Sequence, residues 1–268
     1  MNHDVALRSR SSSPGRLRAI LTSRYTREPV IMVGAYLLYY MARHIADNAQ
    51  PAFENAHYMM KLEVSIGIFK EISVQSALLS YHALIHVFNV IYFYGHWPSI
   101  ILFGLYLFIT KPQVYTITRN AFLISGAVAL IFFALFPVAP PRLATFGIVD
   151  TLSWTVPVDY DKSPLVNPYA ALPSMHVGWC LLISAGLYLS STKLLVRGIA
   201  FVITPAMWFA TVITGNHFFI DGVFGTILAA ISLVIALWLQ RNGPALRQAL
   251  KARWQGFRKR PAPEPGSA

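Results

Sequence analysis

Apolar residues in this chain come in long runs, not in the alternation of a strand or the one-sided stripe of a soluble helix. Such runs cover about residues 29–46, 120–136, 175–190, 197–214 and 218–240, and another apolar stretch covers 75–110. Helical runs of this length suit the hydrocarbon of a bilayer and are too long for barrel strands. The first run closes at Arg43 and His44 with no small-residue cleavage site, so it reads as a retained span and not a secretory signal. Residues 50–74 differ. Phe53, Tyr58, Met59, Leu62, Ile66 and Phe69 alternate there with Glu54, Lys61, Glu63 and Glu71, which predicts an amphipathic helix lying in the interface. The stretch 75–110 is broken by His82, His86, Asn89, His96 and Pro98. It reads as two short spans, or as one span preceded by a re-entrant segment.

Composition agrees with this pattern. Only 12% of the residues are charged and 55% are apolar, too little charge to cover a soluble domain of 268 residues. The net charge of +11 sits mainly in the tails: Arg8, Arg10, Arg16, Arg18, Arg24 and Arg27 at one end, Arg241, Arg247, Lys251, Arg253, Arg258, Lys259 and Arg260 at the other. Basic clusters beside apolar spans hold those ends in the cytoplasm and touch anionic lipid heads. No nucleic-acid motif accompanies them, so nucleic acid is not an expected partner. Cys180 is the lone cysteine, which excludes an internal disulfide.

The expected fold is therefore all-α: a polytopic membrane helical bundle of about six transmembrane helices plus an interfacial or re-entrant segment. Its expected parts are a basic cytoplasmic tail over 1–28, an embedded catalytic domain over 29–240 and a second basic tail over 241–268. Placing both tails and the basic turns Lys111–Arg119 and Lys193–Arg197 in the cytoplasm requires an even number of crossings. The Pro-rich loop from Pro137 to Pro173 and the turn Gly215–Asp221 then share the non-cytoplasmic face. An integral protein of the plasma membrane is the expected setting, and its oligomeric state is left open.

Three polar stretches interrupt the apolar background: Phe136-Pro-Val-Ala-Pro-Pro-Arg142, Ala171-Leu-Pro-Ser-Met-His176 and Thr214-Gly-Asn-His217-Phe-Phe-Ile-Asp221. Ionisable groups at membrane spans are costly and default to a functional reading. Taken singly, each has a plainer one: Arg142 as a headgroup anchor, His176 as a satisfied polar residue, His217 and Asp221 as a helix-supporting i,i+4 pair. Together they suit phosphoryl transfer, which needs a nucleophile, an acid for the leaving group and positive charge on the phosphate oxygens. An imidazole can attack if a carboxylate holds its other nitrogen, which fits His217 with Asp221 one turn later. His176 can protonate the departing oxygen. Ser174 and the amides up to His176 at a helix start, together with Arg142 and more weakly Lys162, are the candidate phosphate ligands. His82, His86 and His96 either line the site or satisfy one another. A metal held by His82 and His86 lacks an evident third ligand. Asn167 and Tyr169, just before the second stretch, are candidates for contacting an acceptor or simply parts of the loop.

Pro-Ser-Met-His176 followed by His217-x-x-x-Asp221 resembles the type-2 phosphatidic-acid phosphatase superfamily over roughly residues 75–240. The fuller strings Ala-Pro-Pro-Arg142, Ala-Leu-Pro-Ser-Met-His176 and Gly-Asn-His-Phe-Phe-Ile-Asp221 look more like the branch of inositol-phosphorylceramide and sphingomyelin synthases. The resemblance implies His217 as a nucleophile that becomes phosphohistidine, His176 as general acid and base, and Asp221 as orienter. It also implies a six-helix core and no metal or other cofactor. The chain departs from the superfamily in its first motif, because Lys111 and Arg119 are one residue too far apart and Asn120 follows. Ala210 and Thr211 stand where a Ser-Arg pair would open the third motif. The implied activity is a lipid phosphatase or phosphotransferase working on a phosphate or phosphodiester, with an inositol-phosphate-type head-group transferase as one form of it. The rival readings are a transporter with an intramembrane His and Asp path, or a non-catalytic scaffold of the same fold.

Overall fold

The computed structural model describes residues 23–43, 49–144, 146–156 and 167–258. The chain divides into two compact units, Met1–Ile45 and Ala46–Ala268. The first contains one described helix, α1 (Arg24–Arg43). The second contains α2 (Ala49–Ser65), α3 (Glu71–Leu78), α4 (His82–Val90), α5 (His96–Thr110), α6 (Pro112–Leu135), α7 (Met175–Ser190), α8 (Leu194–Ile213) and α9 (Phe219–Arg258). One wide π-type turn, Ile91–Gly95, joins α4 to α5 without a break.

The all-α membrane architecture holds, but not with about six spans. Among the described residues, four helical stretches are long and apolar enough to cross a bilayer: His82–Thr110, Pro112–Leu135, Leu194–Ile213 and Phe219–Leu246. Two of the expected spans fall short for separate reasons. α1 is 20 residues long but carries Arg24, Arg27, Glu28 and Pro29 in its first two turns, so only its later part is apolar. α7 has 16 residues, which at 1.5 Å each reach about 24 Å, less than the ~30 Å of hydrocarbon. The ambiguous stretch resolves into a single long helix from His82, so its polar residues sit within one span.

The helices are sorted as a bilayer requires. Leu194 (86% exposed), Phe201 (81%) and Leu135 (79%) point outward, where a soluble protein would be charged. Small residues fill the inside: Ala121, Ala129, Ala229 and Ala236 are all buried. Between hydrocarbon-solvated helices, close backbone packing and interhelical hydrogen bonds replace the hydrophobic drive. Ser184 Oγ meets Thr204 Oγ1 at 2.9 Å between α7 and α8, and Trp179 Nε1 donates to Ser125 Oγ at 3.2 Å between α7 and α6. A Cβ on Gly178 would come 2.6 Å from the carbonyl oxygen of Gly225, and one on Gly225 would collide with the carbonyl oxygen of Ser174. α7 and α9 therefore touch backbone to backbone where both begin.

That contact orders the bundle by direction. α6 and α8 end, and α7 and α9 begin, at one pole. At the other pole lie Lys111, Lys193, Arg197 and Arg241. The amphipathic stretch after residue 49 is also not one helix. It breaks at Gly67, whose φ of +78° is readily open only to glycine, and Glu63 and Glu71 are buried instead of forming a polar face.

Gly225→Ala is expected to lower the unfolding midpoint of the detergent-solubilised protein by the equivalent of about 1–3 kcal/mol, or to prevent folding. Gly198→Ala, in α8 with open space around it, is expected to leave the midpoint unchanged or raise it.

Candidate active site

Two loops and two helix starts make up the common pole. After α6, Val138 N–H donates to the carbonyl of Tyr169 (2.9 Å), and Ala171 N–H donates back to that of Val138 (3.2 Å). This short parallel bridge sets the segment before α7 against the Pro-rich turn. Ala139 N–H bonds the carbonyl of Ala52, and Asn55 Nδ2 that of Pro137, so α2 anchors the pair. The peptide bond Leu172–Pro173 is cis.

α8 ends in a Schellman turn: Asn216 N–H reaches the carbonyl of Thr211 (3.0 Å) and Gly215 N–H that of Val212 (3.0 Å). Gly215 takes the left-handed position at φ +71°. Its carbonyl accepts from Arg142 N–H at 2.9 Å, tying the Pro-rich turn to this one.

His217 follows that turn and is 4% exposed. Its Nδ1 lies 2.8 Å from the carbonyl oxygen of Ala171 and 3.4 Å from Asp221 Oδ2. A carbonyl can only accept, so Nδ1 carries the hydrogen and Nε2 keeps its lone pair. Asp221 Oδ2 itself accepts from Phe218 N–H at 2.9 Å. The Asp221 carbonyl accepts from Ser174 N–H at 2.9 Å, which joins the starts of α7 and α9.

His176 stands in the first turn of α7 with its ring centroid 5.6 Å from that of His217. On its other sides it stacks on Tyr92 (4.4 Å) and tilts against His96 (4.2 Å). The wide turn Ile91–Gly95 presents these two rings, and such turns within helices recur at functional sites. His82 and His86 do something else. His86 Nδ1 meets Thr155 Oγ1 at 2.7 Å and His82 packs on Trp154, so both hold the loop after residue 150. Asn89 and Gln75 hold the same loop through the carbonyls of Thr151 and Val149.

The candidate phosphate ligands are placed unevenly. The Arg142 side chain is buried beside the turn that carries His217, with Nε bonded to Asn216 Oδ1 (2.9 Å) and an ion pair to Asp150 (3.2 Å). Ser174 is buried, its Oγ has no partner and its N–H is taken by Asp221, which leaves the amides of Met175, His176 and Val177 as the open ones of that helix start. Lys162 lies outside the described residues. Asn167 Oδ1 caps its own turn through Tyr169 N–H at 2.9 Å. Arg119 is bonded to Asn120 near the start of α6, far from the pole.

The start of α9 depends on residues that the sequence reading assigned to a polar face. Phe218, just before the helix, has no capping oxygen, so two orphan amides need distant acceptors. Glu71 Oε1 accepts from Phe219 N–H (2.8 Å) and Glu63 Oε1 from Ile220 N–H (2.7 Å). Burial, and then the hydrogen bond and charge of Glu71, push the Glu63 carboxyl from the ordinary 4.5 up to about 9.

Residues 57–235, well over half of the chain, match the PAP2 superfamily. The chain belongs to this superfamily. No curated protein and no solved structure matches it. PAP2 membership places it among membrane enzymes that act on phosphate groups of lipids. The matched PAP2 region starts within α2 and ends within α9, so it takes in Glu63, Glu71, Arg142, His176, His217 and Asp221.

His96, one of three histidines read as lining the site or satisfying one another, is the one that packs on His176; what pattern reading missed at this pole are the Ala171 carbonyl, Tyr92 and the two glutamates. Only the glutamates left a signal, as acids in an apolar stretch, and periodicity alone assigned them to solvent. Because Glu63 holds a proton that the unfolded chain releases above about 4.5, its contribution to stability is complete below that value and is lost as pH climbs toward about 9. The unfolding midpoint is therefore expected to fall across that window, and Glu63→Gln to flatten the fall.

Proposed function

We propose that this protein transfers a lipid's phosphoryl-bearing head group through a covalent intermediate on His217. The observation that carries the reading is the bond from His217 Nδ1 to the Ala171 carbonyl. It leaves Nε2 as the nucleophilic nitrogen of a ring whose centroid is 5.6 Å from that of His176. In the first half-reaction Nε2 attacks phosphorus while the bond to the leaving oxygen breaks, and protonated His176 gives that oxygen its proton. In the second, neutral His176 takes a proton from water or an alcohol. The resulting oxygen attacks phosphorus, and the P–N bond breaks to regenerate neutral His217.

Asp221, beside Nδ1, offsets the positive charge that the imidazole gains on attack. The amides of Met175 and His176, with Arg142, hold the phosphate oxygens, and Asp150 and Asn216 keep the Arg142 fork in place. Lys162 is a further candidate phosphate ligand in the same loop. The strings around Arg142, His176 and Asp221 resemble the inositol-phosphorylceramide and sphingomyelin synthase branch. This favours an alcohol acceptor, with an inositol-phosphate-type group as cargo, over water.

The pole that holds the site faces the non-cytoplasmic side in this reading. The opposite pole collects Lys111, Lys193, Arg197 and Arg241, which the positive-inside rule keeps in the cytoplasm.

The test is turnover of a phosphorus-labelled phospholipid by purified protein, with and without free inositol or a lipid alcohol. His217→Ala is expected to reduce turnover to background and to abolish acid-labile label on the protein, and His176→Ala to slow turnover by about 10²–10⁴-fold. Turnover that survives His217→Ala would sink the mechanism, and product masses unchanged by added alcohol would favour hydrolysis over transfer.

A further inference from the structure

Three buried carboxyls converge on three successive amides at the start of α9. Asp221 takes Phe218, Glu71 takes Phe219 and Glu63 takes Ile220. Each uses one oxygen, and the second oxygens, Asp221 Oδ1, Glu71 Oε2 and Glu63 Oε2, are buried without a partner. Glu63 and Glu71 come from α2 and α3, and each is about 1% exposed or less. Among the described residues neither has an ion-pair partner. Lys61 and Lys70, their neighbours in sequence, are exposed. The groups facing the pair are each other's carboxyls, Asp221 and, beyond it, His217.

Two buried, uncompensated negative charges side by side are not tolerable, and neither are two inward-facing acceptors with no donor. One hydrogen removes both problems. We propose that Glu63 and Glu71 share a single proton, Glu63 donating to Glu71, and that this acid pair positions His217 and Asp221 by clamping the first turn of α9. The clamp uses one oxygen of each acid for the helix and the other for the shared hydrogen. Their bonds to the adjacent amides of Phe219 and Ile220 bring the two carboxyls side by side, and the raised affinity of Glu63 for its proton agrees with that geometry. The pair acts through the backbone and does not touch the substrate, so its members are positioning residues. The proposal rests on the phosphohistidine reading for its catalytic consequence, but not for the proton itself.

The count of hydrogens gives a pattern that simple packing would not. A glutamine at either position keeps one oxygen for the helix amide and supplies its own N–H to the remaining glutamate, so it replaces the shared proton. Glutamine at both positions sets two N–H donors against each other with no acceptor. The proteins to compare are the wild type, Glu63→Gln, Glu71→Gln, the double variant and Glu63→Ala, each by lipid phosphate turnover and by thermal unfolding in detergent. Either single glutamine is expected to keep most of the activity and stability, Glu63→Ala to lose both, and the double variant to lose about tenfold or more in kcat and to unfold earlier.

A double variant as good as the singles would overturn the shared proton, as would a single glutamine as damaging as alanine. Infrared spectroscopy at neutral pH gives a readout that needs no turnover. The wild type is expected to show a buried carboxylic-acid C=O band that shifts in D2O and is missing from Glu63→Gln. A band present in both proteins would also overturn the proposal. If no lipid phosphate is turned over, the unfolding pattern and the infrared band still decide the proton, so the two failures are distinguishable.

Discussion

A helix that begins inside a protein leaves amide hydrogens that water cannot reach, and the structure around the site depends on how α9 meets that demand. Phe218 offers no side-chain oxygen where a capping serine or aspartate would ordinarily stand. The acceptors come instead from Asp221 within the helix and from Glu63 and Glu71, 157 and 148 residues earlier in the chain. Through these bonds α2 and α3 are fastened to the start of the last span. α2 in turn holds the Pro-rich turn at Ala139 and Pro137, and that turn carries the segment whose Ala171 carbonyl meets His217. The site is assembled around a set of amides that had to be satisfied.

Backbone proximity makes this assembly compact. Gly178 and Gly225 let α7 and α9 touch main chain to main chain, which brings the Asp221 carbonyl within reach of Ser174 N–H. With Ser174 held, His176 in the next turn comes beside His217. Small residues at helix contacts are the usual means of association in lipid, where apolar side chains gain little by leaving one hydrocarbon for another. Here the same contact also sets the distance between the rings of His176 and His217.

The membrane class and the three polar stretches that the fold gathers at one pole were legible in the sequence because both depend on local signals. Long apolar runs need no partner to be recognised, and His217 with Asp221 is an i,i+4 pair within one helix. The number of spans was less legible. α7 is apolar but short, α1 is long but charged at its start, and the break at His82–Pro98 is not a break in the helix. Glu63 and Glu71 were misread because amphipathic periodicity assumes that a charged residue seeks water. Nothing local announces that a carboxyl is to cap a helix far along the chain. The Ala171 carbonyl was invisible for another reason, since every residue has one and only the tertiary fold selects it.

That choice of acceptor bears on how such a site can vary over evolutionary time. A side-chain orienter is lost by one codon change, but a main-chain oxygen is supplied whatever residue stands at position 171. The tautomer of His217 is thus guarded by loop shape and not by residue identity. Asp221 stands 3.4 Å from the same nitrogen and also holds Phe218 N–H. Drift at the site should accordingly be read first in the length and prolines of the segment before α7, and only then in its side chains.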